Sequence, residues 1–178
     1  MVTVRPGKAR DLDTICHIHG EAFGAEEGPE IIDLVRALLS DPTAEPVLSL
    51  VAEASDELVG HVLFTRVTVE GASVPAQILA PLAVVPSHQK HGVGGALIQD
   101  GLARLTKSGV ALVFVLGHPS YYPRFGFEAV GDRELVAPYP IPPEHREGWM
   151  VQSLQPGLPG KVRGTVRCAA ALDRPEYW

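Results

Sequence analysis

Residues 76 to 107 run without a gap from an apolar stretch, AQILAPLAVV, through a glycine-rich turn, SHQKHGVGGAL, into a helical pattern, and few folds accommodate that order. The turn carries three glycines and no acidic residue at the point where a helix should start. A glycine inside a helix costs about 1 kcal/mol relative to alanine, so the segment gives up helix stability for something else. Strand, glycine turn and helix in that order leave backbone amides at the helix N-terminus free to face an anion. Glycine also removes the side chain that would hold a ligand off the backbone. Leu97, Ile98, Leu102 and Leu105 then share one helical face, Arg104 and Lys107 suit its C-terminal end, and Gly109 can cap it. Pro81, in the middle of the apolar stretch, has no amide hydrogen to give a ladder, which predicts a bulge or a local separation of strands.

The flanking pattern places this unit in a larger mixed sheet. VTVRP alternates as a first strand; Leu12, Ile15, Cys16, His19, Ala22 and Phe23 recur at helical spacing, with Gly24 as the stop. Ile31, Ile32, Leu34, Val35, Leu38 and Leu39 form a second helical face, with Pro29 suited to its first position. VLSLVAEA and LVGHVLFTRVTV read as antiparallel strands joined at SDE, and VALVFVLG as a central strand covered on both faces. HPSYYPRFGFEAV follows, then a tail rich in proline and glycine, in which GTVRCAAAL can return as a strand to the same sheet. The expected fold is α/β, a mixed and mostly antiparallel sheet with helices on its faces.

Composition bounds the function. A chain of 178 residues, 46% of them hydrophobic, supports one buried core, so residues 1–178 read as a single domain with an extension, about 138–178, packed on it. The net charge of −6, without a long run of like charge, excludes a nucleic-acid or anionic-membrane footprint and leaves a small-molecule or protein partner. Cys16 and Cys168 form neither a disulfide framework nor a zinc spacing. The N-terminus has no apolar signal stretch and no run reaches membrane-spanning length, so a cytoplasmic location is expected. His17 and His19 point in different directions on their helix, and His88 and His91 lack a third ligand, so no metal is expected.

Two phosphate-binding patterns fail on the glycine turn. The dinucleotide fingerprint would need glycine or alanine at position 97, which is Leu, and the P-loop would need Gly-Lys followed by Ser or Thr. Gln89-Lys90-His91-Gly92-Val93-Gly94 instead fits Q/R-x-x-G-x-G/A, and with the upstream strand and the downstream YYPRFGF the chain resembles the GNAT superfamily of acetyl-CoA-dependent N-acetyltransferases over roughly residues 2 to 130. LGHPSYYPRFGF looks like a bacterial subgroup whose substrates are unassigned.

The resemblance implies a GNAT fold in which two parallel strands splay apart, and it implies site residues. Leu82, Ala83 and Val84 would hold the pantetheine arm through their backbone. The amides from Gln89 through Lys90, His91, Gly92, Val93 and Gly94 to Gly95 would hold the pyrophosphate, with Lys90 as a nearby charge. Tyr122 would be the acid that meets the departing thiolate. Pro123 biases its predecessor away from helical angles, so Tyr121 is the alternative acid. His118, at the end of a buried strand, or Glu27 through water is the candidate base. Glu26 and Glu27 lie where this family builds its acceptor site, which is expected to border residues 20 to 32 and the tail. The implied reaction is direct transfer from acetyl-CoA to a primary amine of a small molecule or protein in a ternary complex. The alternative is a non-catalytic acyl-CoA-binding sensor. A homodimer is compatible with either.

Overall fold

A computed structural model describes residues 1–158 and 160–178; Pro159, at the end of the proline-rich stretch, lies outside the described residues. The elements are β1 (Thr3–Pro6), α1 (Leu12–Ser40), β2 (Leu48–Ala54), β3 (Glu57–Val69), β4 (Ala76–Val84), α2 (Val93–Lys107), β5 (Leu112–Leu116), β6 (Glu128–Ala129), β7 (Leu135–Val136), β8 (Trp149–Ser153) and β9 (Gly164–Arg167). The main strand order is β1-β2-β3-β4-β5-β8-β6, with β9 pairing β3 and β7. Pairing is antiparallel except at β4–β5 and β7–β9.

Alternation along β3 separates two cores. Leu63 and Val67 pack with Ile15, Leu34, Val35 and Leu38 of α1. Val62 and Phe64 face the other way, against Leu97, Ile98, Leu102 and Leu105 of α2. The helical face read from the sequence is therefore the face that α2 buries. Its C-terminus closes as expected: Gly109, at φ 88°, donates to Thr106 O, and the Val110 amide donates to Leu105 O.

Helix α1 is two arms meeting at Gly24, whose φ of 81° and ψ of −179° only glycine adopts readily. The arms run back along each other: Arg36 Nη2 lies 3.6 Å from Asp13 Oδ1, and a Cβ on Gly28 would stand 3.0 Å from the carbonyl oxygen of Gly20. Gly24 is thus the stop expected from the sequence. Pro29 is not the first helical residue but lies inside the second arm, which begins directly after Gly24. Pro29 is the fifth residue of that arm, so the amide hydrogen it lacks costs one bond to the carbonyl of Ala25.

The interruption expected at Pro81 is a bulge. Val62 pairs with Leu82 and Phe64 with Leu79, so Ala80 and Pro81 together oppose Leu63. On its other edge β4 pairs with β5 only from Ala76–Leu112 to Ile78–Phe114, after which the strands part. On its opposite edge β5 stays paired with β8 through to Leu116 and Trp149.

The tail is woven into the sheet and does not merely pack on it. β8, unexpected from the sequence, pairs with all of β5, and the short strand after YYPRFGF, β6, pairs with β8 rather than with β5. Val166 and Arg167 of β9 return to Val69 and Thr68 of β3. Trp149 stacks on Phe114, with ring centres 5.2 Å apart, and meets Trp178 at 5.7 Å. The amides of Ala170 and Ala171 donate to Thr43 Oγ1 and Asp41 Oδ2 at 2.8 and 2.9 Å, fastening the C-terminus beside the end of α1.

Candidate functional site

Gly92 is the N-cap of α2 and is left-handed, at φ 83°. Lys90 is also left-handed, at φ 64°, so the turn reverses sharply from β4 into the helix. The first intrahelical bond runs from the Ala96 amide to Gly92 O at 3.0 Å, and no side chain caps the helix. The amides of Val93, Gly94 and Gly95 precede that bond and have no carbonyl to accept them within the helix. They sit at its positive end without an acidic side chain to neutralise them.

The edge of β4 beside this turn is open. The Val85 amide donates to Val59 O, so by antiparallel alternation Ala83 also turns its N–H and C=O toward β3, while Leu82 and Val84 turn theirs to the unpaired edge. The carbonyl of Val84 accepts from Gln89 Nε2 at 2.9 Å, which ties the turn to the strand.

The third wall is the aromatic segment after β5. Tyr121 meets Tyr122 and Phe125 edge to face, with centroids 5.1 and 5.2 Å apart, and Tyr122 meets Phe127 at 5.7 Å. Arg124 lies over the Tyr121 ring at 5.7 Å. A Cβ on Gly94 would stand 2.6 Å from Tyr121 Oη and one on Gly95 3.0 Å from the Phe125 ring, so both positions must be small for this segment to close on α2. Gly117 leaves room for the Tyr122 ring in the same way. The carbonyl of His118 accepts from the amides of Tyr121 and Tyr122 at 3.1 and 3.4 Å, fixing the turn that presents them. Burial pushes both phenols above their ordinary range, Tyr122 the more strongly.

These three walls enclose a cleft of about 800 Å³. Leu82, Val84, Gln89, Lys90, Gly92, Val93, Gly94, Gly95, His118 and Tyr122 all line it, as does Tyr121. Two residues expected there do not: Ala83 is buried with its backbone committed to β3, and His91 is exposed outside the lining. Arg124 and Phe125 belong to the lining and were not singled out from the sequence, although they sit inside the YYPRFGF segment. Glu26 and Glu27 are exposed at the corner of α1, and His17 is paired with Glu21 at 2.8 Å. No cluster of His, Cys, Asp and Glu that could hold a metal occurs among the described residues. A second cavity of about 720 Å³, between Leu48, Arg66, Gln77 and Leu105, contains none of the expected site residues.

A family model described as an acetyltransferase (GNAT) domain matches residues 3–130. The chain belongs to the GNAT acetyltransferase family. Among its GNAT relatives, the uncharacterized N-acetyltransferase YjhQ of Escherichia coli K12 is 48% identical over 162 residues, 89% of this chain and 87% of that one. The crystal structure of the GNAT family N-acetyltransferase YhbS from Escherichia coli in complex with CoA superposes with a TM-score of 0.85 at 28% identity, covering 97% of this chain and 92% of that one. A GNAT family acetyltransferase from Brucella melitensis in complex with acetyl-CoA gives a TM-score of 0.73 at 30% identity, covering 97% and 99%. The mixed sheet flanked by helices is the architecture that this GNAT chain shares with them. Among the described residues no helix is long and apolar enough to cross a membrane.

Proposed function

We propose that residues 1–178 work as one domain that moves the acetyl group of acetyl-CoA to a primary amine by direct attack in a ternary complex. One observation carries the reading: the free amides of Val93, Gly94 and Gly95 and the unpaired edge of β4 at Leu82 and Val84 open into the same cleft. A diphosphate suits the first and an extended amide-bearing arm the second, and pantetheine diphosphate joins the two chemistries in one molecule. The CoA and acetyl-CoA complexes of similar proteins support the same ligand.

The amine must arrive neutral, attack the thioester carbonyl and expel CoA as a thiolate. His118, exposed on the cleft, accepts the second nitrogen proton as the tetrahedral intermediate collapses. The Tyr122 hydroxyl meets the leaving sulfur; its raised pKa makes it a hydrogen-bond donor to developing charge rather than a ready source of a free proton. No metal is needed for these steps. The corner of α1 at residues 20–32 borders the acceptor, and its exposed carboxylates suit a cationic amine.

Calorimetric titration with CoA, followed by thiol release from acetyl-CoA across an amine library, tests the reading. Tight CoA binding with turnover of at least one amine is expected. Binding without any turnover would favour an acyl-CoA sensor, and no binding would overturn the assignment of the cleft.

A further inference from the structure

His19, on the first arm of α1, and His61, on β3, meet inside the protein and are both fully buried. His19 Nε2 lies 2.8 Å from His61 Nδ1, and His61 Nε2 lies 2.9 Å from Ser49 Oγ. The far atom of the chain, His19 Nδ1, is buried and has no partner. Phe23, next to the exposed corner at Gly24, stacks on the His19 ring with centroids 6.1 Å apart. Burial lowers His19 to about 4 and His61 also falls well below its ordinary value, so both rings are neutral at neutral pH.

A neutral imidazole has one N–H and one lone pair, so this chain has two self-consistent arrangements. In one, His19 Nε2–H donates to His61 Nδ1, His61 Nε2–H donates to Ser49, and His19 Nδ1 presents a lone pair. In the other every bond is reversed and His19 Nδ1 carries the hydrogen. Passing one proton along the chain converts the first into the second without leaving a charge inside the protein. Ser49, at the far end, is half-buried, whereas both imidazoles are fully buried.

The chain also lies beside the candidate site. His61 pairs with Ala83, which separates the two cleft-lining residues Leu82 and Val84. It shares its side of β3 with Leu63 and Val67, the side covered by α1, where the corner at residues 20–32 stands. No described side chain hydrogen-bonds the His118 ring, whereas His61 is held at both nitrogens.

We propose that His19, His61 and Ser49 form a proton relay that neutralises the incoming ammonium on the α1 side of the sheet. The ammonium gives a proton to His19 Nδ1, His19 Nε2–H passes to His61 Nδ1, His61 Nε2–H passes to Ser49 Oγ, and the Ser49 hydroxyl proton leaves to solvent. The amine keeps its electron pair for attack, and one proton is released overall. The inference rests on the transferase reading above and supplies the step before attack, distinct from the later proton taken by His118.

The test uses the full chain and two acceptor classes, alkylamines, which carry a proton at neutral pH, and arylamines, which do not. His19→Gln and His61→Gln should each lower kcat about tenfold or more with alkylamines and change it less than about threefold with arylamines, while CoA affinity by calorimetry stays at the parent value. An equal loss on both classes, or no loss with alkylamines, overturns the relay. Nitrogen NMR on the parent gives a readout independent of turnover: a coupling across the hydrogen bond between His19 Nε2 and His61 Nδ1 is expected, and its absence overturns the relay even if neither class is acetylated. A parent that shows the coupling and binds CoA but acetylates neither class sinks the transferase reading instead.

Discussion

Tyr121 holds its hydroxyl over Gly94, where a Cβ would stand 2.6 Å from Oη. The glycine turn therefore answers to two demands, an open backbone toward the cleft and room for the aromatic segment that forms the cleft's third wall. Of the three glycines in the turn, Gly92 alone has open space where its Cβ would be, and it is glycine for its left-handed backbone conformation.

These demands separate in a double-variant experiment. Gly94→Ala should weaken CoA binding about tenfold, or about 1.4 kcal/mol, by pushing Tyr121 out of place. Adding Tyr121→Phe removes the clashing oxygen and should bring affinity back to within about threefold of the Tyr121→Phe parent. Calorimetry on the four proteins decides the matter. If Gly94→Ala costs the same in both backgrounds, the ligand and not Tyr121 requires the glycine.

Tyr122→Phe keeps the ring that packs against Gly117, Tyr121 and Phe127, so thermal stability should change little. Turnover should fall by about 100-fold or more while acetyl-CoA affinity holds. A rate within about threefold of the parent means that Tyr122 only packs. A large loss in Tyr121→Phe instead assigns the acid role to its neighbour.

Gly24→Ala places a side chain at φ 81° and ψ −179°. The strain should cost about 1 to 3 kcal/mol, seen as a lower urea midpoint, because the arms of α1 cannot fold back without that residue. With acceptor amine present, chemical-shift changes should map to residues 20–32. Changes confined to residues 1–5 and the β2–β3 turn would contradict the acceptor position.

The buried histidines make stability depend on pH in a stated direction. Their folded pKa values lie below the unfolded value of about 6.5, so the unfolded chain takes up protons first as pH falls. Stability is full above about 6.5 and declines toward 4, by about 3 kcal/mol for His19 alone. Asp11, held at about 2 chiefly by its hydrogen bonds from Arg5, adds its own loss mainly below about 4, where the unfolded carboxyl takes up a proton that the folded one refuses. Urea unfolding between pH 7 and 4.5 should show the slope in the parent and a shallower one in His19→Gln. An unchanged slope would show that this imidazole is not the group taking up the proton.

The sequence by itself determined what local backbone chemistry dictates. A proline without an amide hydrogen had to break the β4 ladder near Pro81, an unusual glycine had to part the arms of α1 at Gly24, and uncapped amides had to lie at the start of α2. The apolar spacing of Leu97, Ile98, Leu102 and Leu105 named the buried face of that helix. Tertiary structure alone decided the contacts between distant parts of the chain. β8 enters the sheet between β5 and β6 because its partners lie more than thirty residues earlier on one side and some twenty on the other, and the proline-rich tail around it gives no periodic signal. Tyr121 meets Gly94 only after the segment following β5 has closed on α2, and His61 meets His19 and Ser49 only after β3 has packed with α1 and β2. Periodicity reports which side of one element is buried; which atom it meets there is set by register, twist and the path of the chain between, and no window of neighbouring residues carries those.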